Sequence, residues 1–314
     1  MAVTGDVRSV RIVRCAAFAI ALTAVSGCSM VKGMAIKTVA NTLSGSGTTF
    51  TSDNDPELVR EALPFALKLY ESLLDSAPRH QPLLVSTCAA FTEYSYVYIQ
   101  MDAEALQYDD YEASEVQKAR ALKLFLRGRG YCWRAIELRF PGAAARLKSA
   151  PANALVRDKV KKDDVEMLYW SAASLGAAIS AGGLSTPELL VDWPVVRALA
   201  NRAIALDETW SQGALHELLM TVESQGEALG GSEERARRHF ARAVEIQHGL
   251  SASPYVSLAM GISRSKQDRA EFERLMKEAL AIDPDKDESS RLVNLLTQQR
   301  ARFLLAHLSE LFIN

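Results

Sequence analysis

"RAIALD" at residues 202–207 and "EALAID" at residues 278–283 are two copies of one helix ending, and "RAVEIQ" at residues 242–247 is a weaker third copy. The alanines shared by successive copies are 40 and 36 residues apart. A helix pair that recurs at such a period leaves one apolar face that only the neighbouring pair covers. The three copies therefore predict stacked helical repeats.

The third copy shows the details of a particular repeat. Ala236, Phe240 and Ala243 have the small–aromatic–small spacing of the second helix of a tetratricopeptide repeat, and Pro284 stands five residues after Ala279, where such a repeat ends. Alanine permits close helix crossing and phenylalanine fills the gap beside it. Because the regular Gly and Tyr positions of that repeat are missing, we expect degenerate tetratricopeptide-like repeats.

Helical signals continue along the rest of the chain. Asp55 followed by Pro56 predicts a helix start. The next apolar residues recur at spacings of three and four, which predicts one buried helical face made of Leu58, Ala62, Phe65, Leu69 and Leu73. Further helices are predicted over residues 82–106, 110–139, 163–181, 194–206, 210–224, 233–247, 254–262, 267–282 and 287–312, with shorter ones in 141–160. No apolar–polar alternation argues for a strand, so the predicted fold class is all-α, an α-solenoid of about ten to twelve helices.

The N-terminus has the layout of a secretory signal. Three arginines precede a mostly apolar run over residues 15–25, which is too short to span a bilayer of about 20 apolar residues. The run ends in "VSGC" at residues 25–28, which looks like the lipobox of bacterial lipoproteins. We therefore expect residues 1–27 to be a removed signal peptide and Cys28 to be an acylated membrane anchor. A flexible tether is predicted over residues 28–54, followed by one helical-repeat domain over 55–314.

Composition narrows the function classes. Removal of residues 1–27 takes away three Arg and one Asp, which moves the formal charge from −2 to −4. A mildly acidic chain has no positive field to attract nucleic acid, so no nucleic-acid partner is expected. Beyond Cys28 the cysteines are Cys88 and Cys132. Both lie among apolar neighbours, so we favour two buried free thiols, with a disulfide as the alternative in an oxidising compartment.

The search for catalytic and metal-binding motifs finds little. "HELLM" at residues 216–220 begins like a zinc-protease helix, but position 220 is Met rather than the second histidine that the metal requires. There is no nucleophile elbow and no base beside Cys132. We therefore expect no metal, no cofactor and no enzymatic activity.

Aromatic residues are more informative. "FTEYSYVYIQM" at residues 91–101 places Tyr94 and Tyr98 on one helical face with Tyr96 turned elsewhere, and Tyr169 and Trp170 precede a run of small residues. Two interpretations stay open: a packed core with the tyrosine hydroxyls bonded at its edge, or an aromatic wall around a ligand cavity. Tyr94, Tyr98, Tyr169 and Trp170 are the candidate cavity-lining residues.

Several distinctive stretches resemble one protein family in order and rough spacing. They are "SDNDPELVREALPFALKLYESLLDSAP" (52–78), "KARALKLFLRGRGYCWRAIE" (118–137), "LYWSAASLGAAIS" (168–180), "GALHELL" (213–219), "GGSEERARRHFARAVEI" (230–246), "ALAIDPD" (279–285) and "RLVNLLTQQRARFLLAHLSELF" (291–312). The family is that of the T-component (TatT-type) lipoproteins of tripartite ATP-independent periplasmic (TRAP) transporters. The resemblance covers nearly all of the chain after the predicted signal peptide.

The resemblance implies a function. It implies a periplasm-facing lipoprotein, a homotrimer, with a pore-like cavity in each subunit and a periplasmic solute-binding protein as partner. We therefore expect an accessory protein that docks a solute-binding protein and passes on a small, partly hydrophobic ligand. It would be anchored through Cys28, in the inner leaflet of the outer membrane rather than in the inner membrane.

Two other functions stay open. The alternative is an envelope assembly scaffold of tetratricopeptide type that binds peptides or partner proteins and has no internal ligand pore. An enzyme would require His216 and Glu217 to face a water-filled cleft beside further ligands.

Overall fold

The structure is a computed structural model that describes residues 49–313. The predicted signal peptide, Cys28 and most of the predicted tether lie outside the described residues. Within residues 49–313 the chain forms helices and no strand, so the predicted all-α fold is confirmed. The degenerate tetratricopeptide-like repeat stays a prediction.

The α-helices follow one another through short connections. They are α1 Pro56–Ser76, α2 Gln81–Tyr94, α3 Met101–Leu106, α4 Tyr111–Arg139, α5 Ala143–Ser149, α6 Val165–Gly182, α7 Pro187–Leu190, α8 Trp193–Ile204, α9 Ala214–Glu223, α10 Glu233–Ile246, α11 Ser253–Leu258, α12 Arg269–Leu280, α13 Arg291–Ala306 and α14 Leu308–Leu311. Two π-helical segments, Ser95–Gln100 and Ala259–Ser263, continue α2 and α11. Short 3₁₀ turns fill several of the connections.

Side-chain caps start several of these helices where the sequence places a short polar residue. The carboxylate of Asp55 accepts hydrogen bonds from the backbone N–H groups of Glu57 and Leu58, each at 3.1 Å. Asp110 caps α4 through the N–H of Ala113 at 2.9 Å. Such caps satisfy N–H groups that have no partner within the helix, so the predicted start of α1 at Pro56 is confirmed.

Each long helix packs on the next, and the last long helix returns to the first. Contacts run from α1 to α2, α4, α6, α8, α9, α10, α11, α12 and α13, and α13 in turn contacts α1. Leu292 and Leu296 of α13 share a buried cluster with Val59 and Leu63 of α1. The helices therefore form a closed circuit, which leaves space in its interior.

The segment before α1 strengthens this closure. The backbone N–H of Leu292 donates to the carbonyl of Thr51 at 2.9 Å, and the Arg291 guanidinium donates to the carbonyl of Ser52 at 3.0 Å. The last residues of the predicted tether are thus held against α13.

The buried face of α1 differs from the predicted one. Leu58 and Phe65 are 56 % and 74 % exposed, and Ala62 is exposed as well. The residues that α1 buries are Val59, Leu63, Leu67, Glu71 and Leu74. The helix has two neighbouring apolar stripes. Packing against α2 and α13 buries the stripe that contains Val59 and Leu63 rather than the predicted one.

The two cysteines of the helical body are bonded, so the favoured prediction of free thiols is wrong. Cys88 on α2 and Cys132 on α4 form a disulfide, with Cα atoms 5.5 Å apart. Both residues are fully buried, as expected. The pairing follows from the antiparallel contact between α2 and α4, which brings residues 44 positions apart into register.

Residues 49–313 contain no helix that is long and apolar enough to cross a membrane.

Candidate functional site

Two large cavities lie inside the circuit of helices. The first chamber has a volume of about 570 Å³ and is bounded by α1, α2, α6 and α13, with Phe50 and Trp210 from the connecting segments. The second chamber has a volume of about 620 Å³ and is bounded by α2, α6, α9, α13 and the two π-helical segments. Both volumes lie in the range of about 300–1,000 Å³ that is typical of small-molecule sites.

Two side chains line both chambers. They are Glu93, near the end of α2, and Trp170, in the first half of α6. The chambers therefore adjoin at these residues. A smaller cavity of about 220 Å³ shares Gln100, Glu104, Ser180 and Met260 with the second chamber.

The first chamber is mostly apolar, with its charge concentrated in two carboxyl groups. Glu93 and Glu166 line it, and among residues 49–313 no Lys, Arg or His does. Burial deep within the protein, with the nearby Glu166 as a smaller cause, raises the pKa of Glu93 to about 7. Burial likewise raises the pKa of Glu166. Both side chains keep accessible surface, and both lie on the wall of the first chamber.

Apart from Glu93, the charged groups of the second chamber already have partners. The Glu217 carboxylate accepts hydrogen bonds from the Gln247 amide at 2.6 Å and from the Ser253 hydroxyl. Burial raises the pKa of Glu217, and these two hydrogen bonds oppose the shift.

Arg300 of α13 is the positively charged residue of the second chamber. Its guanidinium donates to the Glu104 carboxylate at 2.7 Å and to the Tyr96 hydroxyl at 2.8 Å. Its side chain is only 14 % exposed. The pair with Glu104 cancels the charge of this arginine, so it is not a free anion site.

Both π-helical segments contribute to the wall of the second chamber. Tyr96 and Gln100 come from the first, and Met260 and Gly261 from the second. A Cβ atom on Gly261 would lie 2.7 Å from the Ser224 hydroxyl and 2.8 Å from its Cβ, so only glycine permits this approach of the second π-helical segment to the end of α9. π-helical turns widen a helix locally and are frequent at functional sites.

The four aromatic residues proposed from the sequence take different positions. Tyr169 and Trp170 lie on the wall of the second chamber, with ring centroids 4.9 Å apart in an edge-to-face arrangement. Tyr98 lies on the wall of the first chamber, and its hydroxyl donates to the Pro56 carbonyl at 3.1 Å. Tyr94 is buried against Tyr98, with centroids 6.0 Å apart, and does not line either chamber.

His216 and Glu217 do not face a common cleft. Glu217 lines the second chamber, whereas His216 is buried and lies against His239 of α10, with their Nδ1 atoms 2.9 Å apart. Burial lowers the pKa of both imidazoles, to about 4 for His239. Among the described residues there is no group of three side chains placed to ligate a metal ion.

Tyr96, Glu93, Glu166 and Arg300 are among the charged or polar wall residues that the sequence reasoning missed. A usable signal was present for two of them, because Glu93 and Glu166 are single carboxylates in the apolar stretches "AAFTEYSYVYI" and "VEMLYW". An isolated charge in an otherwise buried helix requires a partner or a solvated cavity.

Comparison with known proteins places the chain in a family. The model of the TRAP transporter T-component family matches residues 52–312, which is nearly the whole described chain. The protein belongs to the TRAP transporter T-component family. As a T-component it takes part in a TRAP transport system, and the resemblance noted in the sequence is confirmed. A similar protein is an uncharacterized protein of Treponema pallidum (strain Nichols), which is 29 % identical over 270 residues, covering 84 % of this chain and 83 % of the relative.

Proposed function

We propose that this T-component is a lipid-anchored periplasmic accessory protein that docks the solute-binding protein of its TRAP system. Its two chambers hold a small, partly hydrophobic ligand on its way between that partner and the membrane. The anchor is Cys28, and the assembly is a homotrimer. In this arrangement the protein acts by binding and transfer and catalyses no reaction.

The observation that best supports a ligand-handling role is the pair of adjoining chambers. Together they run from the α1–α13 junction to the π-helical segments, and they are bordered by aromatic, small and apolar side chains. An interior site of this size suits a small molecule better than a peptide, which binds tetratricopeptide repeats along an open concave surface. The chambers therefore favour ligand handling over a scaffold role.

Docking is tested by co-purification with an extracytoplasmic solute-binding protein from the same TRAP system. We expect a complex at tens of micromolar protein that survives gel filtration. A close relative of that solute-binding protein from an unrelated transport system serves as the control. Absence of any complex with the cognate partner would overturn the docking proposal.

Passage of ligand is tested by narrowing the second chamber. Ala177 lines the second chamber on α6, two turns after Trp170, and A177W fills part of that chamber. We expect A177W to keep the helical content and the docking of the solute-binding protein but to slow uptake by the transport system. Unchanged uptake with the added side chain would contradict passage through this space.

A further inference from the structure

The first chamber combines negative charge, aromatic rings and apolar walls. We propose that it binds an organic cation, a ligand with a positively charged ammonium head and an apolar body. This inference rests on the proposed ligand-holding role of the chambers and specifies the chemistry of the ligand.

Charge is the first argument. Glu93 and Glu166 line the chamber. Within the described part of the chain no basic residue lines it beside them, and neither carboxyl group makes a hydrogen bond or ion pair. Two carboxyl groups that repel each other are stabilised when a cation lies between them. A ligand carboxylate would be repelled by the same pair.

The aromatic side chains give the second argument. Tyr70, Trp170 and Trp210 line the chamber together with the two carboxyl groups. The Tyr169 ring packs against both tryptophans, with its centroid 4.9 Å from that of Trp170 and 4.8 Å from that of Trp210. Indole faces attract ammonium groups through the ring quadrupole, and sites for quaternary ammonium ligands use several such rings.

The rest of the wall explains why the ligand needs an apolar body. Val59, Leu63, Leu292 and Leu296 line the chamber at the junction of α1 and α13. A bare metal ion would leave this surface in contact with water, and it would require more oxygen ligands than two carboxylates provide. A ligand with an ammonium group and an aromatic or aliphatic substituent fits both parts of the wall. Its head lies against the carboxyl groups, and its substituent covers the apolar side chains.

The ionisation of Glu93 is consistent with such a ligand. Burial and the nearby Glu166 raise its pKa to about 7, so without a ligand Glu93 is partly protonated near neutral pH. A bound cation favours the charged forms of both groups. Proton release on binding near neutral pH is therefore an accompanying signature.

The test compares three probes that differ in the charge of the head group: benzyltrimethylammonium, phenylacetate and benzyl alcohol. Each is titrated by calorimetry at pH 8 into the full chain in a non-ionic detergent. We expect the ammonium probe to bind at least about tenfold more tightly than the other two. Equal or tighter binding of phenylacetate or benzyl alcohol overturns the inference, and so does the absence of binding by all three.

Variants locate the site. E93Q and E166Q each remove one negative charge with little change in shape, and each should weaken the ammonium probe by about tenfold, the loss expected for one close ion pair in a partly buried site. E188Q makes the same change on an exposed side chain outside both chambers and should leave binding unchanged. Circular dichroism confirms that the variants are folded, and two independent glutamates keep the test valid if one variant is not. Undiminished binding in the folded variants overturns the inference.

The outcome is separable from the proposed function. If the solute-binding protein still co-purifies but the ammonium probe shows no preference, the docking proposal stands and the ligand chemistry proposed here is wrong. If docking fails while the probe binds selectively, the docking proposal is wrong and the proposed ligand chemistry stands.

Discussion

Glu93 on α2 and Trp170 on α6 each line both chambers, so the boundary between the chambers is formed by a carboxyl group and an indole ring from two different helices. Cys88 Sγ, which belongs to the disulfide that joins α2 to α4, lies 3.7 Å from the carbonyl oxygen of Trp170. The boundary between the chambers thus lies beside the disulfide.

The first prediction concerns the pH dependence of stability. The pKa of Glu93 is raised from 4.5 to about 7 in the folded protein. Between these values the native state holds a proton that the unfolded chain has lost, so this group stabilises the fold fully below pH 4.5 and loses that contribution as the pH rises through 7. A shift of this size in a fully dry site is about 3 kcal/mol. Because the carboxyl group faces cavity water, we expect about 1 kcal/mol.

E93Q tests this expectation. In urea unfolding, E93Q should be about 1 kcal/mol more stable than the parent protein at pH 8 and should lose less stability between pH 5 and pH 8. E188Q is the control for loss of an exposed carboxylate. An E93Q protein with the same pH profile as the parent would show that Glu93 titrates normally.

The disulfide gives the second prediction. Cys88 and Cys132 are separated by 44 residues. Closing a loop of this length reduces the conformational entropy of the unfolded chain, which raises its free energy by about 4 kcal/mol at 25 °C. The double substitution C88A/C132A should therefore reduce the free energy of unfolding by about 3–4 kcal/mol. The reductant dithiothreitol should destabilise the parent protein and leave the double variant unaffected, which separates loss of the bond from loss of packing.

Local features made the helix boundaries predictable. Asp55 with Pro56, and Asp110 before α4, cap their helices within three residues, so the information lies in a few neighbouring positions. The family blocks were equally local, since each is a continuous stretch of sequence. All of these signals are independent of how distant helices meet.

Features that depend on distant contacts were not predictable. The buried stripe of α1 is selected by α2 and α13, and α13 lies more than 200 residues away along the chain. The disulfide requires the register of α2 on α4, and the chambers require the return of α13 to α1. Tyr96 faces the second chamber because the segment from Ser95 to Gln100 is π-helical, a departure from the 3.6-residue period on which the sequence argument relied.

The third prediction concerns a buried asparagine that holds the turn before α11. Asn294 Oδ1 accepts the backbone N–H of Ala252 at 2.8 Å, and Asn294 Nδ2 donates to the Leu250 carbonyl at 2.9 Å. N294A removes both bonds and leaves a buried N–H group without its partner, which should cost about 2–3 kcal/mol in urea unfolding. N201A changes an exposed asparagine of α8 and should alter stability by less than about 0.5 kcal/mol. Equal effects of the two substitutions would contradict a special role for Asn294.

The fourth prediction concerns the exposed apolar stripe of α1. Leu58 and Phe65 are 56 % and 74 % exposed and lie on one face of the helix, where they are available to a second subunit of the proposed homotrimer. L58E/F65E should leave the melting temperature of the isolated subunit within about 2 °C of the parent value while shifting the assembly to monomers in light scattering. V116E/V191E alters two other apolar residues, 65 % and 73 % exposed, and serves as the matched control. A trimer that persists in L58E/F65E places the subunit contact elsewhere.

The fifth prediction concerns the anchor. If Cys28 is acylated after removal of residues 1–27, the mature protein carries several fatty chains, and each buried methylene adds about 0.8 kcal/mol of membrane affinity. C28A should prevent both lipidation and cleavage by the lipoprotein signal peptidase, so its mass should retain residues 1–27 and lack the acyl groups. S29A changes the neighbouring residue and should leave both reactions intact. Metabolic labelling with a fatty-acid analogue together with intact-mass measurement distinguishes the outcomes, and an unlabelled parent protein would show that Cys28 is not the anchor.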